Sequence, residues 1–278
     1  MIAILTDFGT QDNFVGVMKG VMLRIAPAAR LIDLTHQIPP QGVREAAYSL
    51  FTACPYLPVG CVVLVVVDPG VGGSRRAVGV KTDWGMFIAP DNGVLSYVLD
   101  QEASFQAVEL ADPDYHLPEV STTFHGRDIF SPAAAHLAAG VDFFDLGPEI
   151  DDLVRLPSPR LEIQEGLLTG EVLTVDHFGN LSTSFHTLRW TEGNQLKLNP
   201  LWQPQDQAVG PVIFSPGSVT VGVGDLSIRG IKATFSEVKV GQPLALIGSE
   251  HTLDLAINQG NLARAYDLKV GDLVTLRY

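Results

Sequence analysis

The sequence predicts an α/β fold in two parts: a mostly parallel α/β sheet domain, then a smaller antiparallel β-barrel domain. Three observations carry this. The N-terminal half alternates short apolar runs with stretches of helical periodicity, the pattern of a parallel sheet with helices packed on it. Residues 61–67, Cys-Val-Val-Leu-Val-Val-Val, form a β-branched apolar run too short to cross a membrane, as expected of a strand buried on both faces. After Gly166 the texture changes to short runs bounded by Gly, Pro, Asn or Asp, with few helical patterns, which reads as a barrel or sandwich.

The elements follow in order. Residues 2–6 form a first strand that ends at Asp7-Phe8-Gly9. Asp12 or Asn13 stands where a cap is needed for a helix whose apolar positions, Phe14, Val17, Met18, Val21, Met22 and Ile25, recur at helical spacing. Residues 31–34 are a second strand, and 43–54 a second amphipathic helix with Val43, Ala46, Ala47, Leu50 and Cys54 on one side. The 61–67 strand comes next. Strands at 77–82 and 86–89 are joined by the turn Asp83-Trp84-Gly85, and Pro90-Asp91-Asn92-Gly93 bends into a short helix at 94–100. An Ala-rich helix occupies 129–139. Pro148, Pro157 and Pro159 then break any periodicity. The expected boundaries are an N-terminal domain over 1–150, a linker over 151–165 and a C-terminal domain over 166–278. Strands are expected there at 168–175, 218–223, 232–240, 243–247 and 273–278.

Composition narrows the function. The 278 residues, 46% of them hydrophobic, supply ample core for one or two domains. A formal charge of -13 argues against nucleic-acid binding, which needs a basic face. No apolar run reaches the ~18 residues of a membrane span. The N-terminus meets an acid at Asp7 and lacks the charged start of a signal peptide, so a cytoplasmic enzyme or binding protein is expected. Cys54 and Cys61 have no metal-ligand spacing and lie in apolar segments, which predicts buried, reduced, inert thiols.

Polar groups at loop ends carry the chemistry. Asp7 follows the first strand. Asp68 and Arg75 bracket the glycine-rich loop after the third, and ligands bind at the carboxyl ends of strands in open α/β sheets. His125 lies in Phe-His-Gly-Arg-Asp before a helix, and Asp176-His177-Phe178-Gly179-Asn180 lies in the C-terminal domain. Neighbouring strand ends would let Asp7 and Asp68 share a crevice. Each residue also has a plain structural reading: Asp7 or Asp12 as a helix cap, Arg75 as the partner of a surface acid, His125 as a loop histidine. Gly70-Val71-Gly72-Gly73 imitates a phosphate loop but lacks Gly-Lys-Ser/Thr, and Asp68 would repel a phosphate. With no His-x-x-x-His and no tight carboxylate cluster, no metal is expected.

These motifs together resemble the adenosine-forming S-adenosyl-L-methionine (SAM) hydrolases, or SAM hydroxide adenosyltransferases, relatives of the SAM-dependent fluorinase and chlorinase. The resemblance spans nearly the whole chain, through Thr6-Asp7-Phe8-Gly9, Asp68-Pro69-Gly70-Val71-Gly72, Ala89-Pro90-Asp91-Asn92-Gly93, Phe124-His125-Gly126-Arg127-Asp128, Asp176-His177-Phe178-Gly179-Asn180 and Asn258-Gln259-Gly260. It implies hydrolysis of SAM to adenosine and methionine by attack of water at ribose C5′, with no cofactor. It implies a homotrimer whose site joins the N-terminal domain of one subunit to the C-terminal domain of the next. By the same resemblance Asp68, Arg75 and His125 hold the water, and Asp7 grips the ribose hydroxyls. Asp12 and Asp176 lie near the methionine ammonium, and Phe178, Asn180 and Phe235 contact adenine. Ser249 meets the methionine end, with Glu250 beside it where the fluorinase has an arginine. Gln41 stands where the fluorinase has a pocket tryptophan. The halogenating relatives differ at the positions of Asp68, His125 and Gly126, which argues against a halide-using enzyme. A SAM- or adenosine-binding module without turnover is the other alternative, and it would need no such triad.

Overall fold

The computed structural model describes residues 1–202 and 209–278, and the chain divides into two units, Met1–Leu156 and Pro157–Tyr278. In the first unit β1 (Ile2–Thr6), β2 (Leu31–Thr35), β3 (Val62–Val66), β4 (Ala77–Thr82), β5 (Met86–Pro90), β6 (Phe105–Glu109) and β7 (Glu149–Ile150) form one sheet, in the order β2-β1-β3-β5-β4-β6-β7. The pairings among β2, β1, β3 and β5 are parallel. Those among β5, β4, β6 and β7 are antiparallel. Connection length explains the change. The short turn at Asp83-Trp84-Gly85 allows only a hairpin between β4 and β5, whereas parallel neighbours need a longer crossover.

β3 is buried along its whole length, and its period of two divides the core. Val62, Leu64 and Val66 pack with Met18 and Met22 of α1 (Phe14–Ile25) and Ala134 of α4 (Ser131–Ala138). Val63 and Val65 pack on the other face, with Leu50 of α2 (Val43–Ala53) and Val98 of α3 (Ser96–Leu99). Each such aliphatic side chain contributes about 1.5–3 kcal/mol by leaving water, so the strand that leads to Asp68 is firmly held. Both cysteines are free and buried; burial pushes the Cys54 thiol up to about 12, so it does not ionise near neutrality.

Two details differ from expectation. Asn13 occupies the N-cap position of α1 without a capping bond from its side chain. The helix entry is fixed instead by Phe14, whose ring meets Phe8 and Phe124 edge-on at 5.8 and 5.3 Å. The Ala-rich helix begins earlier than its periodicity indicates, because a π-helical turn, Gly126–Phe130, precedes α4.

In the second unit the strands are β8 (Glu162–Gln164), β9 (Leu167–Val175), β10 (Leu181–Thr183), β11 (Leu188–Trp190), β12 (Leu196–Leu198) and β13 (Val212–Phe214). They continue as β14 (Thr220–Val223), β15 (Leu226–Arg229), β16 (Ile231–Lys232), β17 (Pro243–Ile247), β18 (Leu253–Ile257) and β19 (Leu273–Arg277), with a short α5 (Leu262–Tyr266) before the last. One sheet runs β15-β14-β19-β9-β10-β18-β17-β16, with β8 added on β9. β15 at one end comes back against β17 near the other, so the sheet is nearly closed. β11, β12 and β13 form a separate small sheet that shares the same core, Leu196 and Phe214 packing with Leu168, Val221 and Leu255.

The strand expected over 232–240 stops at Lys232, and Phe235–Glu237 is a 3-10 turn. The Glu237 carboxylate accepts hydrogen bonds from the Ala233 and Thr234 amides at 2.7 and 3.1 Å. Thr234-Phe-Ser-Glu237 is thus a capping box that turns the chain out of the strand. Residues 151–165, expected to link the domains, are divided between the units. Asp152 and Leu156 bond to Arg76 and Ser96 of the first unit, and β8 pairs with β9 of the second. No described helix is long and apolar enough to cross a membrane.

Candidate active site

β1 and β3 are adjacent and in register, Thr6 opposite Val66, so Asp7 and Asp68 leave neighbouring strand ends. Asn92 of the Pro90-Asp91-Asn92-Gly93 turn donates to the Val67 carbonyl at 2.9 Å and fixes the end of β3. The chain then turns through Asp68-Pro69-Gly70-Val71-Gly72-Gly73. Gly72 has φ +73, and a Cβ there would run into the Thr122 carbonyl. Only glycine lets this loop lie against the 121–125 segment, and that closeness brings Arg75 to His125.

Arg75 donates through Nε to both Asp68 oxygens, at 2.9 and 3.1 Å, and through Nη2 to Oδ2. Both side chains are nearly excluded from water, Asp68 at 5% exposure and Arg75 at 11%. The guanidinium also lies 5.2 Å from the centre of the Phe130 ring, which favours a cation. Its Nη2 is 2.8 Å from His125 Nδ1. A guanidinium only donates, so Nδ1 is the acceptor and the neutral ring carries its proton on Nε2. Burial, and then the Arg75 charge, hold His125 below the ordinary histidine range, against the pull of Asp68 and Asp128. The next residue, Arg76, leaves in another direction and pairs with Asp91 and Asp152, a structural tie.

Asp7 and Asp12 share a hollow of about 490 Å3 walled by residues 7–12 and 36–40. The Gln41 amide donates to Asp7 Oδ2 at 2.7 Å. Gln41 does so from a left-handed conformation, φ +66, uncommon for a residue with a side chain. In the wall of the hollow, buried His36 hydrogen-bonds through Nδ1 with the Thr6 hydroxyl at 2.9 Å, and its Nε2 lies 3.1 Å from Asp33 Oδ1.

In the second unit Asp176, Phe178, Asn180, Phe235 and Ser249 line one pocket of about 770 Å3. Glu250 follows Ser249 in the chain and lies outside the lining. Asp176 shapes its own loop: Oδ1 accepts from the Phe178 and Asn180 amides at 2.9 and 2.8 Å, and Oδ2 from the Asn180 side chain at 2.8 Å. Gly179, at φ +84, lies so close to Asn261 that a Cβ would overlap it. Phe178 is 71% exposed and Phe235 41%. Two aromatic faces open to water at one pocket suit a flat heterocycle.

Three residues that sequence reasoning missed join these sets. Asp254 reaches the C-terminal pocket from β18. Its signal was a single acid in the alternating run Leu253-Asp254-Leu255. Ser121 and Asp128 fasten the segment before His125; Asp128 closes the Phe-His-Gly-Arg-Asp motif with no role read from it, and no spacing rule marks Ser121. An arginine-clamped carboxylate and a neutral imidazole of fixed tautomer can together orient and activate a water molecule.

Residues 2–147 match the family described as SAM hydroxide adenosyltransferase N-terminal domain, and 170–275 its C-terminal domain. The chain is 41% identical to the (R)-S-adenosyl-L-methionine hydrolase of Thermus thermophilus, over 99% of this chain and 98% of that one. It is 48% identical to the protein of the same name from Salinispora tropica, over 98% and 95%. Identity to the fluorinase of an Actinoplanes species is 29%, over 99% and 97%. Among solved structures, an uncharacterized conserved protein from Thermotoga maritima superposes with TM-score 0.86 at 33% identity, covering 100% of both chains. The chain belongs to the SAM hydroxide adenosyltransferase family.

Proposed function

We propose that this protein hydrolyses SAM to adenosine and L-methionine. Water attacks ribose C5′ and displaces the sulfonium as a neutral thioether, so the leaving group needs no proton. What the protein must supply is alignment of oxygen, carbon and sulfur, and an acceptor for a proton of the water. The observation that carries the reading is the buried Asp68–Arg75–His125 constellation at the end of β3.

Asp68 is the acceptor in this reading. Arg75 holds its carboxylate in one orientation, and an ionised carboxylate keeps further lone pairs for a water. His125 Nδ1 is occupied by Arg75, so its part is to steady the guanidinium. Asp7 takes the ribose hydroxyls, Phe178, Asn180 and Phe235 take adenine, and Asp12, Asp176, Ser249 and Glu250 take the methionine arm. The positions of their motifs in the family, and the shared pocket in the second unit, support this. We further infer a cytoplasmic homotrimer in which neighbouring subunits complete the site, acting on a small molecule and not on nucleic acid or membrane. We infer that the reaction draws on no metal or other cofactor, since the positive charge that holds and aims Asp68 is already supplied by Arg75.

The relatives' names specify the (R) compound, and the same preference follows here. Inverting the sulfur exchanges the methyl and aminocarboxypropyl directions. A site that grips the ammonium can then keep C5′ in line with the water in one epimer only. Purified protein incubated with a mixture of sulfonium epimers should release adenosine and methionine, consume only the (R) fraction and be indifferent to EDTA. Unchanged SAM after long incubation would refute the hydrolase reading, and equal loss of both epimers would refute the selectivity.

A further inference from the structure

Asp128 is completely buried and touches none of the three residues assigned to the water. Its carboxylate nonetheless accepts from both Ser121 and Arg127. Oδ2 accepts from the Ser121 amide at 2.8 Å and the Ser121 hydroxyl at 2.7 Å, and Oδ1 from Arg127 Nε at 2.5 Å. The Ser121 hydroxyl in turn accepts from the Phe124 amide at 3.1 Å. The Asp128 carbonyl accepts from the Leu117 amide at 2.8 Å. The segment leading to His125 is therefore tied to Asp128 at both ends, at Leu117 through the main chain and at Ser121 through the carboxylate, with Phe124 held on by way of Ser121.

The backbone serves the same end. Asp128 sits in the π-helical turn Gly126–Phe130, where the widened ladder lets its side chain reach back to Ser121; such turns are frequent at functional sites. Arg127, paired with Asp128, lies 5.2 Å from the centre of the Phe124 ring, and Phe124 contacts Phe8 beside Asp7. A buried carboxylate with a partly exposed arginine gives a weak return in stability. So complete a set of bonds beside His125 fits a demand for position.

We propose that Asp128 is a positioning residue for the hydrolysis: acting through Ser121, it fixes the 121–125 segment so that His125 presents an unprotonated Nδ1 to Arg75. This rests on the catalytic reading of Asp68, Arg75 and His125. The titratable groups facing the ring are Arg75, Asp68, Asp128 and His116, and the Ser121 backbone also bears on it. Without the clamp the ring can rotate or exchange tautomers. Arg75 then loses one of the two partners that aim it, and Asp68 loses its fixed orientation. Misplacement by about 1 Å can cost on the order of 100-fold in rate.

Nitrogen-15 spectra of histidine-labelled protein, with His125 assigned by its loss in His125→Gln, read the ring directly. Wild type should show one neutral ring with the proton on Nε2. Asp128→Asn and Ser121→Ala should show mixed tautomers. Their kcat should fall about 10- to 100-fold with KM nearly unchanged, measured below each variant's melting temperature. Ser121→Ala removes only a hydroxyl and keeps the test open if Asp128→Asn fails to fold. A wild-type proton on Nδ1 would overturn the proposal. So would variants that melt earlier yet keep the wild-type ring signature and kcat. The ring signature needs no turnover, so a protein that left SAM intact would sink the hydrolase reading alone while the spectra still decided the clamp.

Discussion

Asp68 and Arg75 are held away from water, and that decides what replacing either would do. Arg75 takes up both carboxylate oxygens of Asp68, and breaking a buried pair leaves an uncompensated charge. Asp68→Asn should therefore lower both melting temperature and turnover. If Asp68 only stabilised the fold, the loss of turnover would vanish in the folded fraction. If it orients or deprotonates water, kcat falls about 10²- to 10⁴-fold, roughly 3–5 kcal/mol, with KM little changed. Kinetics and thermal melts on the same preparation separate these, and a folded variant with wild-type kcat would remove Asp68 from the chemistry. His125→Ala should fall in the same range, and the double variant should be little worse, because residues acting as a unit are not additive. These three residues were legible in the sequence because they flank glycine turns at strand and helix ends. Ser121 and Asp128 were not, since their meaning is a tertiary one: a carboxylate looks like any helix-terminal acid until its donors are seen.

At the scale of elements, β17 and β18 show how a strand can carry a charge at a cost. Asp254 sits between Leu253 and Leu255, opposite Leu246, with its carboxylate tucked under Gly248, where any Cβ would collide with it. Burial raises its pKa to about 6, with Glu250 and Asp176 pushing the same way and bonds from Thr252 and Ser182 opposing. The folded state thus holds this proton more tightly than the unfolded chain. The resulting stability is fully present below the unfolded carboxylate range and is lost as pH rises through about 6. Asp254→Asn should match wild type in melting temperature near about pH 4 and exceed it above about pH 7. His186, pushed down to about 4 by burial, acts in the opposite direction but equally in both proteins, so it cancels in the difference. A gap that stays constant with pH would show that Asp254 ionises freely. The strands themselves were legible where periodicity or β-branching was strong: β1, β3, β4 and β5 lie where the pattern indicated. β6 and β7 gave no such signal, because Phe105-Gln-Ala-Val-Glu is half-exposed and β7 is only two residues long. The 232–240 error came from reading β-propensity past a capping box.

At the scale of the whole molecule, the proposed function divides its groups between two units. Asp68, Arg75 and His125 belong to Met1–Leu156 and the aromatic pocket to Pro157–Tyr278, and each unit has its own core. The chain's charge of -13 disfavours self-association at low salt, so an obligate oligomer must overcome that repulsion with specific contacts. The proposed trimer makes a quantitative statement about mixing. One variant carries Asp68→Asn, and the other carries Phe178→Ala with Asn180→Ala; each alone is nearly inactive. If the site joins neighbouring subunits of a cyclic trimer, every mixed ring contains one interface built from two intact halves. Dissociation and reassembly at equal concentrations should then restore about a quarter of wild-type activity, the share of intact interfaces under statistical mixing. If both halves of the site come from one chain, mixing restores nothing, because no chain carries two intact halves. Mass spectrometry of the reassembled rings, run on the sample used for kinetics, establishes that mixing occurred. Inactive rings of proven mixed composition would refute the shared site, whatever the oligomer's size.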